Sequence, residues 1–316
     1  MIVIALAPRI LGSKLSDAID ALQGADSSWL MVSAVLFGAA FLATVGGWRA
    51  ALGASGGRIC PRQAAARIGV GSLVNSFAPA KLGDAVKIAL CSKAIDGPDR
   101  LWTAGGVYAA LGAARLLTLA LLVVAASATG ALPLWPVFVL CGVVLVLAVV
   151  ALSSSRWRDH HRIAHLLEGF AALERSPRAG VAVLAWTATV LLTRLGATAA
   201  VAAALGFPHP LLAALVILPA IDLACAIPVG LGNVGVASGA VAVALQSRGI
   251  GVSDAIGAGI AIQALETAVS LTAGTLGGLY LVKPSPAVRR WTLRTAAVGV
   301  SVGLAAIVGV LFFDFV

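Results

Sequence analysis

Residues 64–92 read AAARIGVGSLVNSFAPAKLGDAVKIALCS, and residues 210–246 read PLLAALVILPAIDLACAIPVGLGNVGVASGAVAVALQ. Each stretch is apolar, is interrupted by Pro and Gly, and resumes as a second short apolar run. None of the four runs reaches the ~20 apolar residues that a membrane-spanning helix needs. The pattern predicts two helical hairpins that enter a membrane and leave on the side they entered. The first is Ala64–Ala80 followed by the run LGDAVKIALC; the second is Pro210–Ile227 followed by Val234–Gln246. Irregular backbone at such depth is tolerated only where protein buries it or it lines a wet cavity. The tips match: 79–84 is PAKLGD and 228–233 is PVGLGN, with Pro, Leu, Gly and Asp/Asn at the same offsets, 149 residues apart.

The rest of the chain fits that setting. Of its 316 residues, 60% are hydrophobic and 11% charged, and the mean hydropathy is +1.02. Soluble domains carry roughly 25% charged residues, so a water-facing globule is excluded. Around the hairpins lie six long apolar intervals: Ser27–Trp48, Trp102–Gly130, Leu132–Ser154, Ala179–Phe207, Val252–Val282 and Thr295–Phe313. The expected fold is an all-α integral membrane bundle of about six spans plus two re-entrant hairpins. Residues 1–27 form an N-terminal interfacial segment without the layout of a cleaved signal peptide. Residues 28–154 form a first membrane repeat, 155–178 a cytoplasmic loop, and 179–316 a second repeat. Each repeat crosses three times, so the second is inverted relative to the first, a design recurrent in secondary transporters.

Charge placement orients the bundle. With the hairpins counted as non-crossing, 15 basic residues fall on one side, from Arg49, Arg58, Arg62, Arg67 and Lys93 through to Arg294. Only Arg9, Lys14 and Arg248 fall on the other. By the positive-inside rule the first side is cytoplasmic, which places both termini outward and the protein in the cell's inner (plasma) membrane. The net charge of +9 then follows from topology, with no nucleic-acid partner. The four cysteines, Cys60, Cys91, Cys141 and Cys225, show no metal or disulfide spacing and read as small buried hydrophobes.

Seven ionisable residues remain at bilayer depth: Lys81, Asp84, Lys87, Arg115, Arg194, Asp222 and Glu266. A charge there is expensive, about 2.5–3.5 kcal/mol on the insertion scale, and marks a site by default. Lys81, Asp84 and Lys87 lie at i, i+3 and i+6 on the helix leaving the first tip. There they either hold a phosphate or snorkel to the headgroups around a capping Asp84. Arg115 lies mid-span, too deep to snorkel. It stands 32 residues after Gly83 and Glu266 34 after Gly232, so the two are expected to approach each other across the pseudo-two-fold axis. Arg194 and Asp222 form a second candidate pair. Gly83, Gly230 and Gly232 free backbone N–H groups for an anion, with Asn75, Ser76 and Asn233 as neutral partners.

These residues carry a resemblance. GWRAALGASG, RIGVGSLVNSFAPAKLGDAVKIALCSKA, the Arg-bearing span and IPVGLGNVGVASGAVAVAL together resemble the lysylphosphatidylglycerol synthase transmembrane (flippase-like) family. The family pattern N-x-x-x-P-x-x-x-G-[ED] is met by Asn75, Pro79, Gly83 and Asp84. Of P-x-x-x-G-x-x-E at the second tip, Pro228 and Gly232 remain, while Gly235, Val236 and Ala237 occupy the region of the missing acid. Arg115 is kept, but Thr118 replaces the acid common three residues later. The resemblance implies a membrane domain that moves or handles anionic lipids, among them aminoacyl-phosphatidylglycerol and polyprenyl-phosphate carriers. It does not imply synthase activity, which in bifunctional relatives belongs to a separate soluble domain.

Three function classes compete. A lipid transporter would use the buried charges on a headgroup; no Walker A pattern is present, so an ion gradient or downhill exchange supplies the drive. A membrane-embedded transferase or phosphatase would need acid–base groups, yet no histidine falls within a span. A non-catalytic partner of a lipid- or glycan-modifying enzyme would tolerate loss of Arg115 and Asp84. His160, His161, His165 and Glu168 share the 155–178 loop. Without HExxH they read as an interfacial helix rather than a metal site, and no cofactor is expected.

Overall fold

A computed structural model of the protein describes residues 24–78, 82–128, 130, 142, 169–226, 234–246 and 249–282. Every regular element among them is a helix. In chain order these are α1 (Ser27–Ala54), α2 (Pro61–Phe77), α3 (Leu82–Ser92), α4 (Arg100–Ala128), α5 (Pro177–Ala204), α6 (Pro210–Ala226), α7 (Val234–Gln246) and α8 (Val252–Val282). Four are long and apolar enough to cross a membrane: α1, the 100–124 part of α4, α5 and α8. The expected spans Leu132–Ser154 and Thr295–Phe313 lie outside the described residues, as does the His-bearing part of the 155–178 loop.

Local chemistry sets the ends. Asp26 caps α1 by accepting from the Ser28 N–H at 2.8 Å, which satisfies one of the unpaired first-turn donors. Pro61 and Pro177 open α2 and α5 at the first helical positions, where a missing N–H costs nothing. Gly56 and Gly206 leave α1 and α5 with φ of +80° and +71°, a left-handed turn that residues with a side chain rarely take.

α1 and α5 run antiparallel along their length. The Asp26 N–H donates to the Ala204 carbonyl at 3.0 Å, the buried Ser33 Oγ to the Ala197 carbonyl at 2.9 Å, and further along the Trp186 ring lies directly on Gly46. Two cores flank this pair. Val45, Trp48, Leu52, Ile68, Cys91 and Val107 form one, under α2–α3; Leu30, Phe37, Val201, Ile217, Val241 and Ile262 belong to the other, around α6–α7.

The sequence-expected hairpins are present as helix pairs. α2 turns back into α3 so closely that a Cβ on Gly83 would collide with the Gly71 carbonyl and the Asn75 side chain. At the open end the Arg58 N–H donates to the Ala94 carbonyl at 3.1 Å, so the chain leaves the first hairpin where it entered. α6 and α7 pack on each other in the same order. Boundaries shift modestly: the first helix of hairpin one is Pro61–Phe77 rather than Ala64–Ala80. Arg67, counted with the loop charges in the sequence, lies inside α2 on either set of bounds. Cys91 is buried as expected, but Cys60 is exposed, because it precedes α2 in the connecting segment.

α2 also packs against α8, and here small residues decide the geometry. Gly69 meets the Ala273 carbonyl, Gly274 meets Leu73, and Gly277 meets the Ala66 backbone. In lipid no hydrophobic force pulls helices together, so close backbone approach through such residues supplies the attraction.

Candidate functional site

The charges gather where α2, α3 and α6 meet the long helices α4, α5 and α8. α4 carries Tyr108 and Arg115, seven residues and so about two turns apart on one face. Arg115 stands 15 residues from the start of α4 and 13 from its end. α5 brings Arg194, α6 Asp222 and α8 Glu266. Together they form a chain of ion pairs. The Arg115 Nη2 donates to Asp222 Oδ1 at 2.8 Å, and the Arg194 Nη1 to the same oxygen at 2.7 Å. Arg194 then donates from Nη2 and Nε to Glu266 Oε1 at 2.7 and 3.1 Å.

Exposure along this chain is uneven. The inner members are buried, Asp222 at 7% and Arg194 at 13%, while Glu266 is 27% and Arg115 57% exposed. Arg194 is held between two carboxylates and Asp222 between two guanidiniums, the full pairing that burial of charge demands. Among the described residues Arg115 is tied by one nitrogen only, which leaves the rest of its donor fork for a ligand.

A second cluster surrounds Asp84 in the first turn of α3. Its Oδ1 accepts from the Asn75 Nδ2 at 2.8 Å and the Lys87 Nζ at 3.1 Å, and its Oδ2 from the Tyr108 hydroxyl at 2.7 Å. These side chains come from α2, α3 and α4, so Asp84 staples the two helices of the hairpin to the first long helix after it. Lys87 is committed to Asp84 and only 15% exposed, rather than extended toward a membrane surface.

Among the sequence candidates, Arg194 and Asp222 do meet. Arg115 and Glu266 do not meet directly: Arg115 reaches Asp222, and Glu266 joins it only through Arg194. The reason lies in helix packing, since α6 is interposed with a carboxylate at the right depth. Thr118, standing where the acid after Arg115 is common, turns back to donate to the Arg115 and Ala114 carbonyls at 2.9 and 3.2 Å. The carboxylate that answers Arg115 comes instead from α6. Gly83 serves the close crossing of α2 and α3, and Ser76 donates to the Ser72 carbonyl within its own helix. Pro79, Lys81, Pro228, Gly230, Gly232 and Asn233 fall outside the described residues.

Two residues were missed. Tyr108 is one of only two tyrosines in the chain and sits in the same apolar span as Arg115; that polar ring was the available signal. Arg67 has its Nη1 buried without a hydrogen-bond partner, and its place in a short apolar run was the hint. No group of three metal-ligating side chains occurs among the described residues.

Long apolar helices, two helix hairpins and paired charges at mid-helix define a polytopic helical membrane protein with a polar centre. The chain belongs to the lysylphosphatidylglycerol synthase TM region family, whose model matches residues 1–274. No curated protein and no solved structure gives a significant match to it. Membership places the protein among membrane proteins of lipid modification and transport.

Proposed function

We propose that the protein is a flippase-like transporter that binds the phosphate of an anionic lipid between its two halves and carries it from one leaflet to the other. Aminoacyl-phosphatidylglycerol and polyprenyl-phosphate-linked lipids are the two candidate cargoes. The observation that carries this is Arg115: a guanidinium halfway along a spanning helix, 57% exposed and held by a single nitrogen, while its neighbour Arg194 is buried and saturated. A purely structural pair would have no need of that open fork, and a phosphate takes two N–H groups of an arginine at once.

The pairing also suggests how release works. Asp222 keeps Arg194 when Arg115 turns to a phosphate, so the swap leaves no carboxylate unpaired. Two carboxylates then share one arginine, and a proton on Asp222 or Glu266 restores neutrality. Coupling to a proton gradient follows from that count. Glu266, at the opposite end of the chain, presents a carboxylate to a headgroup amine.

The antiparallel α1–α5 pair and the two hairpins support the inverted repeat, with the hairpins re-entrant. Arg49, Arg58, Arg62, Lys93, Arg100 and Arg178 lie at one end of the helices, which supports a cytoplasmic position for that end in the inner membrane. On this topology both termini face outward. Lys81 and the backbone of the tips at Pro79, Pro228, Gly230, Gly232 and Asn233 would complete the headgroup site.

The test is reconstitution into liposomes containing fluorescent anionic lipids, with leaflet exchange scored for wild type and Arg115→Ala. Exchange should occur with wild type and vanish in the variant at equal amounts of folded protein. Absence of exchange with every phospholipid and polyprenyl phosphate tried would remove the proposal in favour of an accessory or transferase role.

A further inference from the structure

Away from the charge clusters, α1, α2 and α8 enclose a groove of about 820 Å³. Its walls are almost wholly aliphatic, and Val35, Leu42 and Leu276 on its rim are exposed. On α8 it runs from Leu265, next to Glu266 at mid-helix, to Tyr280 in the last turn. Those 15 residues rise about 22 Å, deeper than the ~15 Å of hydrocarbon in one leaflet. Among the described residues its only charged lining residue is Arg62, at the N-terminus of α2. Arg62 is exposed and has no salt-bridge partner among the described residues. Tyr280 supplies a phenol at the same mouth. Gly38, on the α1 wall, faces open space where a side chain would stand.

A long aliphatic slot with a cation and a hydroxyl at one end is complementary to a molecule with an anionic head and one long alkyl tail. We infer that this groove binds an anionic phospholipid, one acyl chain lying along α8 and the phosphate at Arg62. The site is separate from the Arg115 cluster and does not depend on transport. Residues 283–313 carry four basic and no acidic side chains, so the chain's own last apolar segment brings no anion to set against Arg62, whereas a phosphate does.

The full chain is reconstituted in vesicles of equal phosphatidylglycerol and phosphatidylcholine, and the lipids retained on it are counted by native mass spectrometry. Wild type should retain phosphatidylglycerol, and Gly38→Phe, which projects a ring into the slot from a position whose Cβ would meet nothing within 4 Å, should retain one lipid fewer. Arg62→Gln, at an exposed helix end that poses no threat to folding, should keep the lipid but lower its preference for phosphatidylglycerol about fivefold, the worth of one basic residue near an anionic surface. The loss caused by Gly38→Phe should persist in an Arg115→Gln background, which separates this site from the transport reading. An unchanged lipid count in Gly38→Phe or an unchanged preference in Arg62→Gln overturns the inference. So does a disulfide between cysteines placed at Ala39 and Ala305, which would seat the terminal segment there.

Discussion

The two hairpins share an order of elements but are held by different forces. The first lies on α8 through Gly69, Leu73, Gly274 and Gly277, backbone against backbone, and its one carboxylate, Asp84, is satisfied by three neighbours. The corresponding face of the second, 149 residues on, offers Leu215, Leu218 and Asp222 where the first has Ala66, Gly69 and Leu73. α6 accordingly makes little contact with α4: Leu122 lies in one cluster with Leu215 and Leu218, and the Arg115–Asp222 pair bridges the helices. Shape complementarity between helices is lost only by moving them apart. An ion pair can exchange partners with a charged ligand, so under the proposed function the α4–α6 side is where a headgroup would gain access.

That contrast can be broken in order of expected effect. Arg194→Gln should be the most damaging, leaving Asp222 with Arg115 alone and Glu266 with no ion-pair partner among the described residues. Removing one partner of a buried pair costs about 3–5 kcal/mol, read as a fall in thermal unfolding temperature in detergent. Gly69→Leu should follow, at about 3 kcal/mol, the upper range for overpacking, because the new side chain meets the Ala273 carbonyl rather than a movable side chain. A comparable loss on Leu215→Phe, on the α4-facing side of α6, would erase the proposed difference between the hairpins. Tyr108→Phe takes one donor from Asp84 and should cost about 2 kcal/mol, typical of a hydrogen bond to a charged group; the same thermal assay checks it. Arg115→Gln should destabilise least, about 1 kcal/mol or less as for a half-exposed pair, yet abolish lipid exchange. A large loss of stability in that variant would make Arg115 a structural residue and end the contrast.

Much of this was legible beforehand. Pro79, Pro228 and the paired tip glycines marked the hairpins, since Pro and Gly interrupt apolar runs too short to span. Charge-free intervals marked the long helices, and charges within them marked the site, because bilayer depth makes each one conspicuous. Partner choice was not legible. Equal spacing from the tips paired Arg115 with Glu266, but spacing along a chain does not report which helix lies between two others. Tyr108 was overlooked because an amphipathic ring passes for a hydrophobe until its hydroxyl is seen on Asp84. Arg67 was counted with the loop charges although it lies within the Ala64–Ala80 run, because a basic residue near the start of a hairpin passes for a surface charge until its Nη1 is seen buried.

By itself, the sequence determined that the protein lives in a membrane, where its helices break, and which ionisable groups lie at mid-helix. Those follow from transfer free energies and backbone chemistry, which act residue by residue. The tertiary structure alone decided that Asp222 answers Arg115 in place of an acid at Thr118, that Asp84 ties three helices together, and that glycine contacts close one hairpin face while leucines leave the other to an ion pair. Those depend on which helices touch and at what depth, a property of packing that no single segment contains.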